Sequence, residues 1–511
     1  MLARGKAGKL LLPLQQAILT KIVEKKIVWQ KFYEYYRHVG AFCFKLSQNT
    51  TLLYEYITIS AIPGKVFLHM DMPMKINELQ LTNARQGHTI HNTEVFSKDG
   101  RWIVYDTRND DTQIGSTGTI AMVNVHTGET RTLYQTVGQS AYGPGVGAAT
   151  FSPVADRVLF IHGIRNADAS RPYGMTRRTG VAIDIDHPGH PIFMDARDIT
   201  PPFTKGALRG GTHAHSWSSD GQWISFTYND YVMEQLARTD STVADLRMVG
   251  VMVPGQVVVT DGGSMENNSG EYFSVAVTTV TESPTLGSNE VDKAFDECWI
   301  GIDGYFRPDG SKQRRAIAFQ GNVRDTEGRT VTEIFVADLP DDLTKEQDGQ
   351  PLAGTATTRP HVPVGVVQRR ITHSMAGVEG PRHWLRTIPD GSMILYLAKD
   401  NRGIVQLFGV SPNGEEPRQV TANPFPVQGP FNSSPDGQWV AYPADNSILI
   451  TEIATGNTHR ITQRFEEVNK PVGAPNWSPD GKTIAYNRYV SEEDERFLQV
   501  FLLTTNAKIV W

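Results

Sequence analysis

Six residues of this chain have the types and spacing to do chemistry together. His213 and His215 stand two apart in Leu208-Arg209-Gly210-Gly211-Thr212-His213-Ala214-His215, His383 follows Arg382 in Pro381-Arg382-His383-Trp384, and Gln428 precedes Gly429. Neutral imidazoles with an amide oxygen suit a borderline divalent ion such as manganese or zinc. His213, His383 and Gln428 are therefore the expected metal ligands. His215, Arg209 and Arg382 are the expected catalytic set, because a guanidinium can grip a substrate carboxylate with two parallel bonds while an imidazole moves a proton. In an extended segment residues two apart point to one face, so His213 and His215 are expected side by side. The competing reading is that these histidines hydrogen-bond backbone and orient loops. His88 and His91 with Glu94, and the pair Asp296-Glu297, are weaker candidates, read as a strand-end hydrogen-bond partner and as solvated charge.

The elements that must position these residues are announced by one turn, seen seven times. The copies are Phe96-Ser97-Lys98-Asp99-Gly100, Phe151-Ser152-Pro153, Trp217-Ser218-Ser219-Asp220-Gly221, Phe306-Arg307-Pro308-Asp309-Gly310, Ile388-Pro389-Asp390-Gly391, Ser434-Pro435-Asp436-Gly437 and Trp477-Ser478-Pro479-Asp480-Gly481. Pro presets φ for the first corner, and Asp-Gly tolerates positive φ, so each copy is a hairpin signal. An apolar β-branched or aromatic run follows each, for example Trp102-Ile103-Val104-Tyr105 and Trp439-Val440-Ala441-Tyr442. The spacings are 55, 66, 89, 81, 46 and 44 residues, against about 40–45 for a four-stranded propeller blade. The expected fold is all-β, a seven-bladed β-propeller over residues 76–511, with insertions near 232–289 and 339–367 that serve as lid loops or surface elaboration. A further signal ends in Thr82, Thr200, Thr372, Thr421 and Thr462 and marks each blade's outer strand. Because the first of these precedes the first turn, the N-terminal strand is expected to complete the last blade. Counting seven residues back from the turn aspartates gives Asn92, His213, Ile302, His383, Gly429 and Gly473, so two histidines fall at equivalent blade positions.

Composition excludes several classes. The 511 residues carry 49 Lys+Arg and 55 Asp+Glu, a formal charge of −6, so nucleic acid is not an expected partner. No uncharged apolar run reaches membrane-spanning length. Cys43 and Cys298 alone can build neither a disulfide framework nor a cysteine zinc site. There is no Gly-x-Ser-x-Gly elbow, no His-Glu-x-x-His and no phosphate loop in Gly143-Pro144-Gly145-Val146-Gly147. Residues 1–75 read as a separate extension. Residues 1–72 hold 10 basic and 4 acidic side chains against 39 and 51 in the remainder. This is either a basic surface helix or a segment upstream of the true start, near Met70, Met72 or Met74. Leu10–Val23 lacks a cleavage pattern, which gives a cytoplasmic expectation, with the periplasm as the alternative.

The Ser-Pro-Asp-Gly turns with their apolar strands resemble the repeats of TolB-type propellers. Longer segments, Arg209-Gly210-Gly211-Thr212-His213-Ala214-His215, Ser225-Phe226-Thr227-Tyr228-Asn229-Asp230, Gly365-Val366-Val367-Gln368-Arg369-Arg370 and Pro381-Arg382-His383-Trp384, resemble the YidR-like family of bacterial propeller proteins. That family is similar at fold level to oligogalacturonate lyase, which holds a divalent metal through three His and a Gln. The resemblance implies a carbohydrate-active, lyase-like protein whose channel mouth takes an acidic oligosaccharide, with Mn or Zn as cofactor. The alternative it leaves open is a non-catalytic TolB-like platform for a protein or glycan partner.

Overall fold

The recurring turn is built by two side chains. Ser97 Oγ donates to Asp99 Oδ1 (2.6 Å) and accepts from Trp102 N (3.0 Å), while Asp99 Oδ1 also accepts from Arg101 N (3.0 Å). The same arrangement joins Ser218, Asp220 and Trp223, Ser434, Asp436 and Trp439, and Ser478, Asp480 and Thr483. Glycine follows the aspartate because the backbone there turns left-handed, with φ of 70° at Gly100 and 66° at Gly221.

The structure, a computed structural model, describes residues 76–505 apart from 92, 111, 261, 375, 382 and 383, together with three strands nearer the N-terminus. By contacts the chain divides into Met1–Lys75 and Ile76–Trp511. In the first unit Phe42–Lys45, Tyr56–Ile62 and Lys65–Asp71 pair antiparallel in chain order. The reading of Leu10–Val23 falls outside the described residues.

The second unit is a seven-bladed β-propeller of small antiparallel sheets. The inner strands of the second to seventh blades are Val146–Phe151, Gly210–Trp217, Lys293–Trp299, Leu385–Thr387, Asn432–Ser433 and Pro471–Trp477. In the first blade the bridges of Thr89 to Asp106 and of Phe96 to Ile103 take that place beside a three-stranded sheet. The seventh blade is completed by Ile76–Gln80, paired from Thr505 opposite Ile76 to Phe501 opposite Gln80, so the N-terminal strand closes the ring as expected.

The core lies between blades. Val104 and Met122 pack with Phe151 and Phe160 between the first two, and Val249 and Val251 with Ile317 and Phe319 between the third and fourth. Ile103 and Val123 meet Ala485 and Val500 where the ring closes. Burying one such large side chain is worth about 1.5–3 kcal/mol, so every blade is held by both neighbours.

Three expectations are corrected. Arg307-Pro308-Asp309-Gly310 turns a small extra hairpin, Tyr305–Phe306 with Lys312–Gln313, inserted after the fourth inner strand. Ile302 is therefore not the equivalent of His213. Arg197 bridges Leu208 and Asn268, while the second blade's outer strand is the earlier Ile192–Phe193. The stretch 232–289 contains Met248–Val257 and Gly270–Ala276, the outer half of the third blade, so the insertion shrinks to the loops around them.

Candidate functional site at the channel mouth

The inner strands are kinked at matching places. Pairing with the second strand shifts between Gly147 and Thr150, His213 and Ser216, Phe295 and Cys298, and Val472 and Asn476. A residue at positive φ sits in each break: Ala148 (56°), Ala214 (56°), Asp296 (49°) and Gly473 (74°), with Glu94 (54°) at the matching place of the first blade. These are β-bulges, which bend a strand and re-aim its side chains.

In the third blade the bulge undoes the expected alternation. His213 pairs with Thr227 and Ser216 with Ser225, so His213 shares a side of the sheet with Ser216. His215 belongs to the other side, with Nε2 3.0 Å from Thr212 Oγ1. The two histidines therefore do not stand side by side.

His213 is half-buried, on the part of the strand nearer the loop side of the channel. Its Nδ1 is shielded from solvent and has no partner among the described residues. Burial comes first, and the positive charges of Arg178 and Arg247 next, in holding its pKa well below the usual imidazole range. The ring is neutral at pH 7. Arg178 opens the third strand of the second blade, Arg178–Asp184, and Arg247 immediately precedes the third strand of the third blade. Third strands run in the same direction as inner strands, so both arginines enter from the loop side.

Neither arginine has a carboxylate within 4 Å among the described residues. Arg178 donates from Nη1 to Tyr173 Oη (3.0 Å) and sets Nη2 against the Met175 sulfur, while its Nε is buried and unpartnered. Arg247 has a buried, unpartnered Nε as well, and Asp296, Asp245 and Glu297 act on it only from beyond ion-pair distance. A buried donor left unpaired costs about 1–3 kcal/mol, so this arrangement is one that an acceptor from outside would relieve. Sequence reasoning missed both residues. The signal that could have found them is an arginine directly before an apolar third strand in two successive blades.

The other expected site residues are placed elsewhere. His215 is 3% exposed and faces the second blade, where Thr212 Oγ1 donates to Asp195 (3.0 Å) and Asp195 also accepts from Thr179 Oγ1 and Gly180 N (2.6 Å each). Burial and then the Arg178 charge lower its pKa to about 3. Arg209 is buried with all its donor groups engaged: Nε to Asp230 at 3.0 Å, and the two terminal nitrogens to the Thr355 and Thr358 carbonyls. It anchors the loop inserted in the fourth blade rather than facing the channel. Gln428 is exposed, its Oε1 accepting from Asn446 N (2.7 Å) and its Nε2 donating to Asn446 Oδ1 (3.1 Å). Arg382 and His383 fall outside the described residues.

The described part of the expected metal set does not fit a dication. Gln428 has both ends of its amide engaged by Asn446, and His213 sits in the field of two arginines. Among the described residues no group of three or more His, Cys, Asp or Glu could hold a metal ion.

The turn side of the channel has the opposite character. A cavity of about 190 Å³ there is lined by Glu94, Ser216, Cys298, Trp299, Arg386 and Thr387, among others. Burial pushes the Glu94 carboxyl up to about 7 against the opposing pull of Arg386, and burial does the same for Glu297. Glu297, expected as solvated charge, is 5% exposed and accepts from Thr227 Oγ1 at 2.7 Å.

A family model described as a protein of unknown function, DUF3748, matches residues 145–267. The uncharacterized protein YidR of Escherichia coli (strain K12) is 38% identical over 428 residues, covering 82% of this chain and 96% of that protein. The uncharacterized protein Atu1656 of Agrobacterium fabrum is 28% identical over 139 residues, covering 25% of this chain and 45% of that protein. Among solved structures, the chain is similar to oligogalacturonate lyase in complex with manganese, with 12% identity, a TM-score of 0.47 and coverage of 91% and 97%. It is also similar to a putative TolB from Agrobacterium tumefaciens, with 15% identity, a TM-score of 0.36 and coverage of 76% and 98%.

Proposed function

This chain belongs to the family of the Escherichia coli protein YidR, and we propose that its propeller binds an acidic carbohydrate at the loop-side mouth of the channel. The observation that carries this reading is the pair of arginines, Arg178 and Arg247, which act on a neutral His213 and have no carboxylate of their own at ion-pair distance. A uronate carboxylate is the planar acceptor that guanidinium groups take best.

The same geometry supports a lyase-like step. A carboxylate between Arg178 and Arg247 offsets the two charges that suppress His213, so the ligand itself raises the basicity of the imidazole. Its Nε2, the ring nitrogen not shielded by protein, then takes the proton at C5 of the sugar, which the neutralised carboxylate has made acidic. The electron pair forms the C4–C5 double bond as the C4–oxygen bond breaks, and the departing oxygen takes a proton from water.

Incubation with oligogalacturonate, followed by the ultraviolet absorbance of an unsaturated uronate, tests this reading. Wild type should form product and His213→Gln should not, while still binding the oligosaccharide. Binding without product in wild type would leave a glycan-binding propeller, and no binding would remove the proposal. A second reading, a non-catalytic platform for a protein partner, is favoured by Ile302 and Phe306, exposed by 62% and 64% at the turn side.

A further inference from the structure

The turn-side cavity lies at the other end of the channel from the loop-side mouth and does not rest on the reading given for it. Its cation is Arg386, on the fifth inner strand. The guanidinium is fixed from three directions: Nε donates to Asn432 Oδ1 (3.0 Å), Nη1 donates to the Leu385 carbonyl (2.8 Å), and its Cζ lies over the Trp384 ring, 3.7 Å from the ring centre. Three carboxyl groups act on it, Glu94 from the first blade and Asp296 and Glu297 from the fourth, as does the Cys298 thiol. Among the described residues none of these carboxyls comes within 4 Å of it. Glu94, across the cavity, accepts from Trp217 N at the long distance of 3.4 Å and interacts with the Ser216 hydroxyl, which leaves part of its carboxyl without a partner. A held cation and an under-satisfied carboxyl therefore face the same space of about 190 Å³, beside the indole of Trp299.

We propose that this cavity is a binding site for a small carboxylate anion, held between the Arg386 guanidinium and the Glu94 carboxyl. One ligand oxygen accepts from Arg386, and the other accepts the O–H of protonated Glu94. The volume is below the roughly 300 Å³ at which drug-sized ligand sites begin, so the ligand is a short-chain acid whose tail rests on the indole. Binding retains the proton on Glu94. Once that carboxyl ionises it repels the anion, and affinity falls about tenfold for each pH unit above the Glu94 pKa. Glu297, also titrating near 7, faces Arg386 without lining the cavity and adds a smaller dependence of the same sign. Asp296 and the Cys298 thiol, pushed up to about 12 by burial, are the remaining groups facing the guanidinium.

Titration calorimetry with sodium acetate and sodium lactate at about pH 6 and about pH 8.5 tests the site, the two values bracketing the Glu94 transition. Wild type should bind at the lower pH and lose at least tenfold in affinity at the higher. Glu94→Gln, which keeps a donor without the charge, should bind at both. Arg386→Gln should lose this pH-dependent binding while melting as wild type does, and Arg178→Gln, at the other mouth, should keep the pH-dependent binding. No binding by wild type at the lower pH would overturn the proposal. So would a Glu94→Gln protein whose affinity falls with pH as steeply as wild type, or binding abolished by Arg178→Gln.

Discussion

Arg209 and Arg247 belong to the same blade, the first buried and the second half-buried, yet they are provided for in opposite ways. Arg209 has a carboxylate at 3.0 Å and two carbonyls, and its partner Asp230 also accepts from Val232 N and Met233 N at the start of a short helix, Tyr231–Ala237. Arg247 has a buried, unpartnered Nε and no ion pair among the described residues, and Arg178 beside it shares that lack. A buried guanidinium with a complete set of partners holds the fold. One with an incomplete set is placed for something that arrives. Residue type and proximity to the channel do not separate the two, whereas the inventory of partners does.

The contrast can be broken most forcefully at Arg209. Arg209→Ala leaves Asp230 buried without its cation and should cost about 3–5 kcal/mol in urea unfolding; a loss under about 1 kcal/mol would mean that the pair holds little. Next, Gly180→Ala probes the well-packed seam between the second and third blades. A Cβ there would lie 2.9 Å from His215 Nε2 and should cost about 1–3 kcal/mol.

The seams between blades also respond to acid. His215 is held at about 3, and His88 and His162 at about 4, so the unfolded chain takes up protons near pH 6.5 before the native one does. Each of these histidines therefore subtracts stability as pH drops below about 6.5, with a slope of about 1.4 kcal/mol per pH unit, while Glu94 and Glu297, pushed up to about 7, each oppose it with the same slope down to about pH 4.5. Unfolding free energies measured from pH 7 to about pH 5 check this, and His215→Gln should lose one histidine's share of the slope. Arg247→Gln is the smallest expected effect on the fold, within about 0.5 kcal/mol, because no charged partner is stranded. Its effect belongs to ligand binding.

Much of the propeller is legible in the residues because each turn carries its own chemistry. Ser, Asp and Gly close it together in four of the copies, and the Thr82 signal before the first turn marks the strand that completes the ring. The fourth blade misled because an inserted hairpin uses the same Pro-Asp-Gly turn, which moved the count from the inner strand to Ile302. The bulges left no comparable mark. Nothing in His213-Ala214-His215 announces an alanine at positive φ, and that one residue sends His215 into the seam and leaves His213 at the mouth. Arg178 and Arg247 went unnoticed because they stand on third strands, remote in sequence from the inner strand they serve.

The most direct test of the central claim is calorimetric titration of oligogalacturonate, and of its methyl-esterified form, into wild type and the Arg178→Gln/Arg247→Gln double variant. Two arginines without a carboxylate partner predict that wild type prefers the free acid by at least tenfold and that the double variant loses this preference while keeping its melting temperature. Equal affinity of wild type for acid and ester, or a preference that survives in the double variant, would contradict the assignment of the loop-side mouth as an acidic-carbohydrate site.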